Sequence, residues 1–459
     1  MNKPLITMTH VCRSWRSLLL SAPSLWSRID FSTPKSKQAE GFLGRSGEHL
    51  LDIFQSFDTA YDMHPFLSTT LRNTHRLRQL RMISSSPYLE PVLKQFTKPA
   101  PELEYLLIVN TPNLIDEDMK LPPIFGGQLP KLTGLTLQNF NTDLRDLNFP
   151  SLMWFSFEGG GDVSVQDLAS FFGRCPSLEF IQISHADMPE SPTAPPRERV
   201  CLAALKELRF DPATCISGLL DHLTLPACTE VMLKGAFGDE EYGDYGDLLA
   251  RLHPSSIDHL PVTRGITKAV AMPNSCILSG PNGNLRFWCF EETRGSFDAE
   301  FFTSFSPISV LEIRELWVVR NTSYMGTNFR FPEQTAADVH GTFRVLTSLE
   351  DLTIVSCQTE PFFSALGVEA GDGVLLPGLR RLTAFVGYGD FDVSALIRSA
   401  KTRKEHFRPL VEMTIVFDEE PEAELVKGVE LLREVVGELA YRVEEAPELY
   451  WLGEDCDPW

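Results

Sequence analysis

The sequence predicts an α/β fold: a right-handed solenoid whose short strands stack in parallel on a concave side, with helices returning between them. Three observations predict it. A phrase of apolar residues at its first, fourth and sixth positions recurs along the chain. A proline stands two residues ahead of that phrase more often than composition allows. Amphipathic helical stretches alternate with it. The clearest copy runs from Cys175 to Ile183, where Leu178, Ile181 and Ile183 turn one side of a strand inward.

The phrase returns at Leu77/Leu80/Met82, Leu103/Leu106/Ile108, Leu132/Leu135/Leu137, Leu152/Phe155/Phe157 and Leu205/Leu208/Phe210. It continues at Cys228/Val231/Leu233, Ile257/Leu260/Val262, Leu285/Trp288/Phe290, Ile308/Leu311/Ile313, Leu349/Leu352/Ile354, Leu379/Leu382/Ala384 and Leu410/Met413/Ile415. Successive starts lie 20 to 41 residues apart. At 43% hydrophobic residues, such a triple arises by chance about once in 12 positions, so the bare phrase is weak. The proline is stronger. Six of thirteen copies carry it (Pro101, Pro130, Pro150, Pro176, Pro226, Pro377), where 32 prolines in 459 residues give about one. A proline there suits the start of a strand, where no ladder donor is needed. The pattern resembles a degenerate leucine-rich repeat, whose period is roughly 20–29 residues.

Residues 1–31 come first. Met8, Val11, Cys12, Trp15, Leu18 and Leu19 recur at three- and four-residue steps and predict one face of a helix. Pro23 stops it, and Leu25 and Trp26 fold back against that face. Arg13, Ser14, Arg16 and Ser17 take the outer side. So short a helix cannot bury two tryptophans alone; it needs neighbouring helices or a partner.

Val11-Cys12-Arg13-Ser14-Trp15-Arg16, followed by Pro23-Ser24-Leu25-Trp26, resembles the second half of an F-box. The resemblance implies docking onto a Skp1-type adaptor of cullin-based ubiquitin ligases, with Leu5, Val11, Cys12, Trp15, Leu18, Pro23, Leu25 and Trp26 as the adaptor-binding residues. The family's opening L-P-x-E-type segment belongs ahead of Leu5, where four residues stand. Two expectations stay open: a shortened version of a longer protein, or an incomplete F-box. A plain helical cap on the first repeat is the alternative to both.

Residues 32–47 are polar, with proline and glycine, and read as a linker. Residues 48–417 form the repeat region. Within it Ser164 caps a helix carrying Val165, Leu168, Phe171 and Phe172 on one face. Ile216–Leu223, Leu248–Leu252, Phe297–Phe305 and Val393–Ile397 hold equivalent places. Met188–Arg199, Asn321–Pro332 and Gly371–Gly373 break the rhythm as loops or insertions. Residues 418–459 form an acidic cap and tail: Leu425, Val429, Leu432, Val436, Leu439 and Val443 fall at helical spacing from Pro421 onward. Tyr450, Trp451, Leu452 and Trp459 fold back on that cap.

The formal charge of −21 argues against nucleic acid as the main partner. It is uneven: residues 418–459 carry fourteen acidic and three basic residues, residues 1–31 one acidic and four basic. No apolar run of about 18 residues spans a membrane. Nine scattered cysteines without a C-x-x-C pair suit a reduced compartment inside the cell, cytoplasmic or nuclear. Ser279–Asn284 has glycines without a phosphate-gripping lysine and reads as a turn; Gly159–Gly161 reads as a repeat corner. Histidines and cysteines do not meet metal-ligand spacing, and no nucleophile motif occurs, so neither cofactor, metal nor catalytic residue is expected. Arg72, Arg76, Arg78 and Arg81 bracket one strand and read as a solvated face, with an anionic ligand as the sharper alternative. The expected function is non-catalytic. The chain reads as the substrate-recognition subunit of a Skp1–cullin–F-box-type ligase binding an unidentified protein; the alternative is a protein-binding scaffold without a ligase role.

Overall fold

The computed structural model describes residues 3–31, 36–57, 63–111, 119–140, 144–159, 163–184, 198–211, 216–234, 257, 259–272, 275–288, 312–319, 321–324, 327–330, 335–355, 359–367, 369–370, 373–386 and 391–444. The chain divides into two compact units, one of residues 1–211 with 218–227 and one of residues 212–217 with 228–459.

The first unit begins with two short helices, α1 (Lys3–Thr9) and α2 (Arg13–Leu20). Eight strands of the main sheet follow among the described residues: β1 (Arg28–Asp30), β2 (Leu51–Phe57), β3 (Leu77–Ser85), β4 (Tyr105–Thr111), β5 (Gly134–Gln138), β6 (Trp154–Glu158), β7 (Phe180–Ser184) and β8 (Glu207–Asp211). They pair in chain order and all in parallel. Their register stacks Leu80, Leu106, Leu135, Phe155, Ile181 and Leu208 in one row. Met82, Ile108, Leu137, Phe157, Ile183 and Phe210 form the next, and both rows are buried. A third layer holds the leading leucines 77, 103, 132, 152, 178 and 205, none with any exposed surface. The repeated phrase is therefore the inner face of this sheet.

The proline has a different reason from the one its position suggested. Leu103 N–H closes onto Ala100 O, Leu132 onto Leu129, Leu152 onto Phe149 and Leu178 onto Cys175. Each is a four-residue turn with proline second, where its fixed φ is already correct. One residue later the chain locks to its neighbour. Glu104 O accepts from both Thr133 and Gly134, Thr133 O from Met153 and Trp154, Met153 O from Glu179 and Phe180, and Glu179 O from Lys206 and Glu207.

Helices α3 (Ser36–Arg45), α4 (Met63–Arg72), α5 (Ser86–Leu93), α6 (Val165–Gly173) and α7 (Ile216–His222) lie between strands. The Ser164 hydroxyl accepts from Gln166 and Asp167 N–H, and Phe171 and Phe172 lie 5.0 and 5.9 Å from the Phe155 ring. Helix α3 corrects the reading of residues 32–47 as a linker. Its Ala39 and Phe42, three apart, are buried, and two apolar residues in a polar stretch gave too little pattern to see.

The second unit's main sheet has nine strands among the described residues: β9 (Glu230–Lys234), β10 (Lys268–Met272), β11 (Ser275–Gly280), β12 (Gly283–Trp288), β13 (Glu315–Val319), β14 (Asp351–Val355), β15 (Arg381–Val386), β16 (Glu412–Phe417) and β17 (Glu438–Val443). The order is β9-β12-β11-β10-β13-β14-β15-β16-β17, antiparallel at both sides of β11 and parallel elsewhere. Helices α8 (Ala336–Val345), α9 (Thr359–Leu366), α10 (Val393–Glu405) and α11 (Ala423–Glu430) alternate with the later strands. Both units are thus mixed α/β with mostly parallel sheets, and neither sheet closes into a barrel among the described residues.

The phrase misplaces three strands here. Ile257, Leu260 and Val262 belong to a segment with one 3-10 turn, and the strand lies at Lys268–Met272. Next, Leu285 and Phe287, rather than Leu285 and Trp288, take the alternating core positions of β12. For β13 the working triple is Ile313, Leu316 and Val318; positions 308 and 311 lie outside the described residues, as does Phe290. Chance triples in an apolar-rich chain set these false frames.

Ser279–Asn284 is a turn, as read, between β11 and β12. Residues Asn321–Tyr324 and Thr327–Arg330, expected as a long loop, pair as an antiparallel hairpin. The expected terminal helix stops at Glu430; a 3-10 turn covers Leu431–Glu434, and Leu439 and Val443 lie on strand β17. Gly437 permits the change, because a Cβ there would sit 2.7 Å from Val411 O. The readings of 160–161, 188–197, 248–252, 297–305 and 445–459 fall outside the described residues.

Candidate functional site

The amino-terminal residues build a surface that the first unit leaves uncovered. The single helix predicted over Met8–Leu19 is two helices, broken at His10–Cys12. Cys12 is fully extended (φ −156°, ψ 170°), and its Sγ accepts from Trp15 N–H at 3.5 Å as the cap of α2. The Thr9 hydroxyl turns back onto Ile6 O at 2.7 Å and helps end α1.

Of the predicted contact residues, Val11 (64% exposed), Trp15 (49%) and Leu18 (68%) stand furthest out, with Leu25 (38%) beside them in sequence. Cys12 is exposed, and Leu5 and Pro23 are half-buried. Met8 (40%) and Leu20 (38%) join the exposed set. Neither was among the predicted contacts, although Met8 shares the three- and four-residue spacing of Val11, Trp15 and Leu18. Trp26 is a correction. Its indole has no exposed surface, donates to Leu19 O at 2.8 Å, packs on Phe42 at 5.2 Å and lies under the Arg45 guanidinium at 4.8 Å. Trp26 and the buried Leu19 therefore anchor the segment, and the remaining apolar residues face outward. Arg13 and Arg16 are exposed beside Trp15 and form no ion pair among the described residues.

Other predicted groups do not converge. Arg76 is buried, donating to His49 O (2.6 Å) and Ser46 Oγ (2.9 Å); Arg78 binds Asp52 through two bonds at 2.9 and 2.6 Å; Arg81 lies over the Tyr105 ring at 5.3 Å. These arginines hold the fold together. On the outer face of the first unit's sheet, Trp154 stacks on Phe180 at 3.4 Å, Arg209 caps Phe180 at 5.1 Å, and Tyr105 covers Gly134. Among polar residues that alternate with the apolar positions of the phrase, Thr136, Ser156 and Thr353 are buried, Gln182 is half-buried, and Glu104 is exposed one residue ahead of its strand.

A cleft of about 730 Å³ in the second unit is lined by strand-start residues, Arg314, Glu350, Arg380 and Val411 among them, and by Phe407. Its lining holds neither histidine nor cysteine. No group of three potential metal ligands occurs among the described residues, nor does a helix long and apolar enough to cross a membrane. Burial pushes the Cys175 thiol up to about 11, and Cys276 higher still, so both are packing groups at neutral pH.

No protein-family model and no curated protein matches this chain. Among solved structures, a protein from Bacteroides fragilis aligns over 91% of this chain and 86% of its own at 11% identity. Its TM-score of 0.19 carries no argument about fold or function.

Proposed function

We propose that this chain is a non-catalytic receptor: residues 5–25 dock a Skp1-type adaptor, and a degenerate leucine-rich-repeat solenoid holds a protein for ubiquitin transfer. One observation carries the reading. Val11, Trp15, Leu18 and Leu25, four of the residues the F-box resemblance assigns to adaptor binding, are each exposed, while Trp26 and Leu19 pin the same segment to the first unit. Large apolar side chains gathered on a short segment mark an interaction surface. Covering Trp15 or Leu18 yields about 1.5–3 kcal/mol each. The repeat reading rests on the stacked rows and the recurrent two-donor carbonyl junctions. Catalysis would come from the assembled ligase, with the receptor supplying effective concentration.

Co-purification with a Skp1-type adaptor tests the docking. Trp15→Ala with Leu18→Ala is expected to abolish capture while changing stability by less than about 1 kcal/mol. Trp26→Ala is expected to destabilise the first unit by about 3–5 kcal/mol. Wild-type chain that captures no adaptor, even with an L-P-x-E-type segment added ahead of Leu5, rules out the ligase reading in favour of a scaffold.

A further inference from the structure

We propose that the outer edge of β17 pairs with the same edge of a second copy of this chain, antiparallel and centred on Ala440. The proposal uses nothing in the amino-terminal segment. Strand β17 pairs only with β16 among the described residues. Glu438 N–H goes to Val411 O and Glu444 N–H to Phe417 O, so the even-numbered residues face β16. Alternation then directs the main-chain groups of Leu439, Tyr441 and Val443 outward. One of them, Leu439 O, receives a long contact of 3.5 Å from Arg433 Nη1. From Ala440 to Val443 every side chain is exposed. The register with β16 is uninterrupted, and the edge carries no proline, lysine or bulge of the kind that normally blocks pairing.

Charge selects both the occupant and the register. Antiparallel pairing of a strand with its own copy opposes residues of the same parity only. Centred on Ala440, it sets Glu438 against Arg442, twice by symmetry, and Leu439 against Tyr441. Centred on Tyr441 it sets Glu438 against Glu444; centred on Arg442 it sets that arginine against itself; centred on Leu439 it joins no charges. Glu438 is also open to a cation. It stands beside Glu412 in the ladder, beyond the Arg381–Asp351 pair, and forms no ion pair among the described residues. Among the described residues Arg442 meets only its near neighbour Glu444 at 3.2 Å, with both side chains about half exposed, so it is easily re-paired.

Sedimentation of the full chain across a concentration series tests this, with thermal melts confirming that each variant folds. A reversible dimer is expected. Tyr441→Pro removes an outward donor without touching the ladder to β16, and is expected to give monomer. Arg442→Glu and Glu438→Arg are each expected to weaken the dimer about tenfold or more. The double exchange Glu438→Arg with Arg442→Glu is expected to restore it. A monomeric wild type overturns the proposal, including one that dimerises only after residues 445–459 are removed. A dimer indifferent to Tyr441→Pro, or a double exchange no better than the single ones, overturns it too.

Discussion

Arg403 shows how single side chains tie one turn of the chain to the next. Its guanidinium is wholly buried and donates to the carbonyls of Leu375 (2.7 Å), Leu376 (2.9 Å) and Leu379 (3.2 Å), with no carboxylate partner among the described residues. Arg174 does the same for Leu144 and Leu147, and Arg76 for His49. Burial, with Arg408 nearby, lowers Arg403 to about 10, so it is still charged at neutral pH. Arg403→Met strands three carbonyls and is expected to cost about 2–4 kcal/mol in urea unfolding; Arg403→Lys, lacking the fork, is expected to recover little. Glu315 gives the pH dependence. Burial raises its carboxyl, but hydrogen bonds from Lys268 and the Trp317 indole, with the Lys268 charge, hold it below the ordinary 4.5. A depressed carboxylate contributes stability that is complete above the unfolded value and lost as pH falls through the folded one. The stability gap between wild type and Glu315→Gln is therefore expected to be constant above that ordinary value and to close below it, in urea titrations at successive pH. None of these roles was legible beforehand, because an arginine bound to carbonyls and one in solvent look alike in sequence.

Elements were legible where a local signal had a local cause. Helix α6 follows from Ser164 and the Val165–Phe172 stripe, and the β11–β12 turn follows from Gly280 to Gly283. Elements whose cause lies elsewhere in the fold were misread. The Leu425–Val443 stripe satisfies helical spacing and, at Leu439, strand alternation as well; the close approach of Gly437 to Val411 O decides between them. Likewise Cys12 splits the amino-terminal helix by capping α2, a position where cysteine is not a preferred residue. The end of α10 holds another local conflict. Arg408 N–H closes onto Arg403 O and Phe407 N–H onto Lys404 O, so Phe407 occupies the left-handed position (φ 58°) usually given to glycine, with its ring 90% exposed. Phe407→Gly loses almost no packing there. It is expected to stabilise the chain by about 0.5–1 kcal/mol in thermal or urea unfolding, against the destabilisation usual for a phenylalanine replaced by glycine.

For the whole molecule, the sequence carried the repeat well from Leu77 to Phe210, where each copy has its turn proline or a tight equivalent. It carried the repeat poorly from Ile257 to Ile313, where an antiparallel hairpin interrupts the parallel order and the phrase drifts out of frame. The exposed apolar face of the amino-terminal segment was legible because its spacing and its aromatic residue occur together. Charge across the chain adds a kinetic consequence to that face. Residues 1–31 carry a net +3 in a chain of −21, and Arg13 and Arg16 stand exposed around Trp15. Rim charges steer encounter, whereas buried apolar contacts govern residence. For an adaptor with an acidic docking surface, association is therefore expected to slow several-fold between low and physiological salt at nearly constant dissociation rate. Arg13→Ala with Arg16→Ala should reproduce that slowing at low salt, and Trp15→Ala should instead accelerate dissociation. Surface-based kinetics with immobilised adaptor separates the two. An association rate indifferent to salt and to both arginines would mean that the positive end of this acidic chain takes no part in finding its partner.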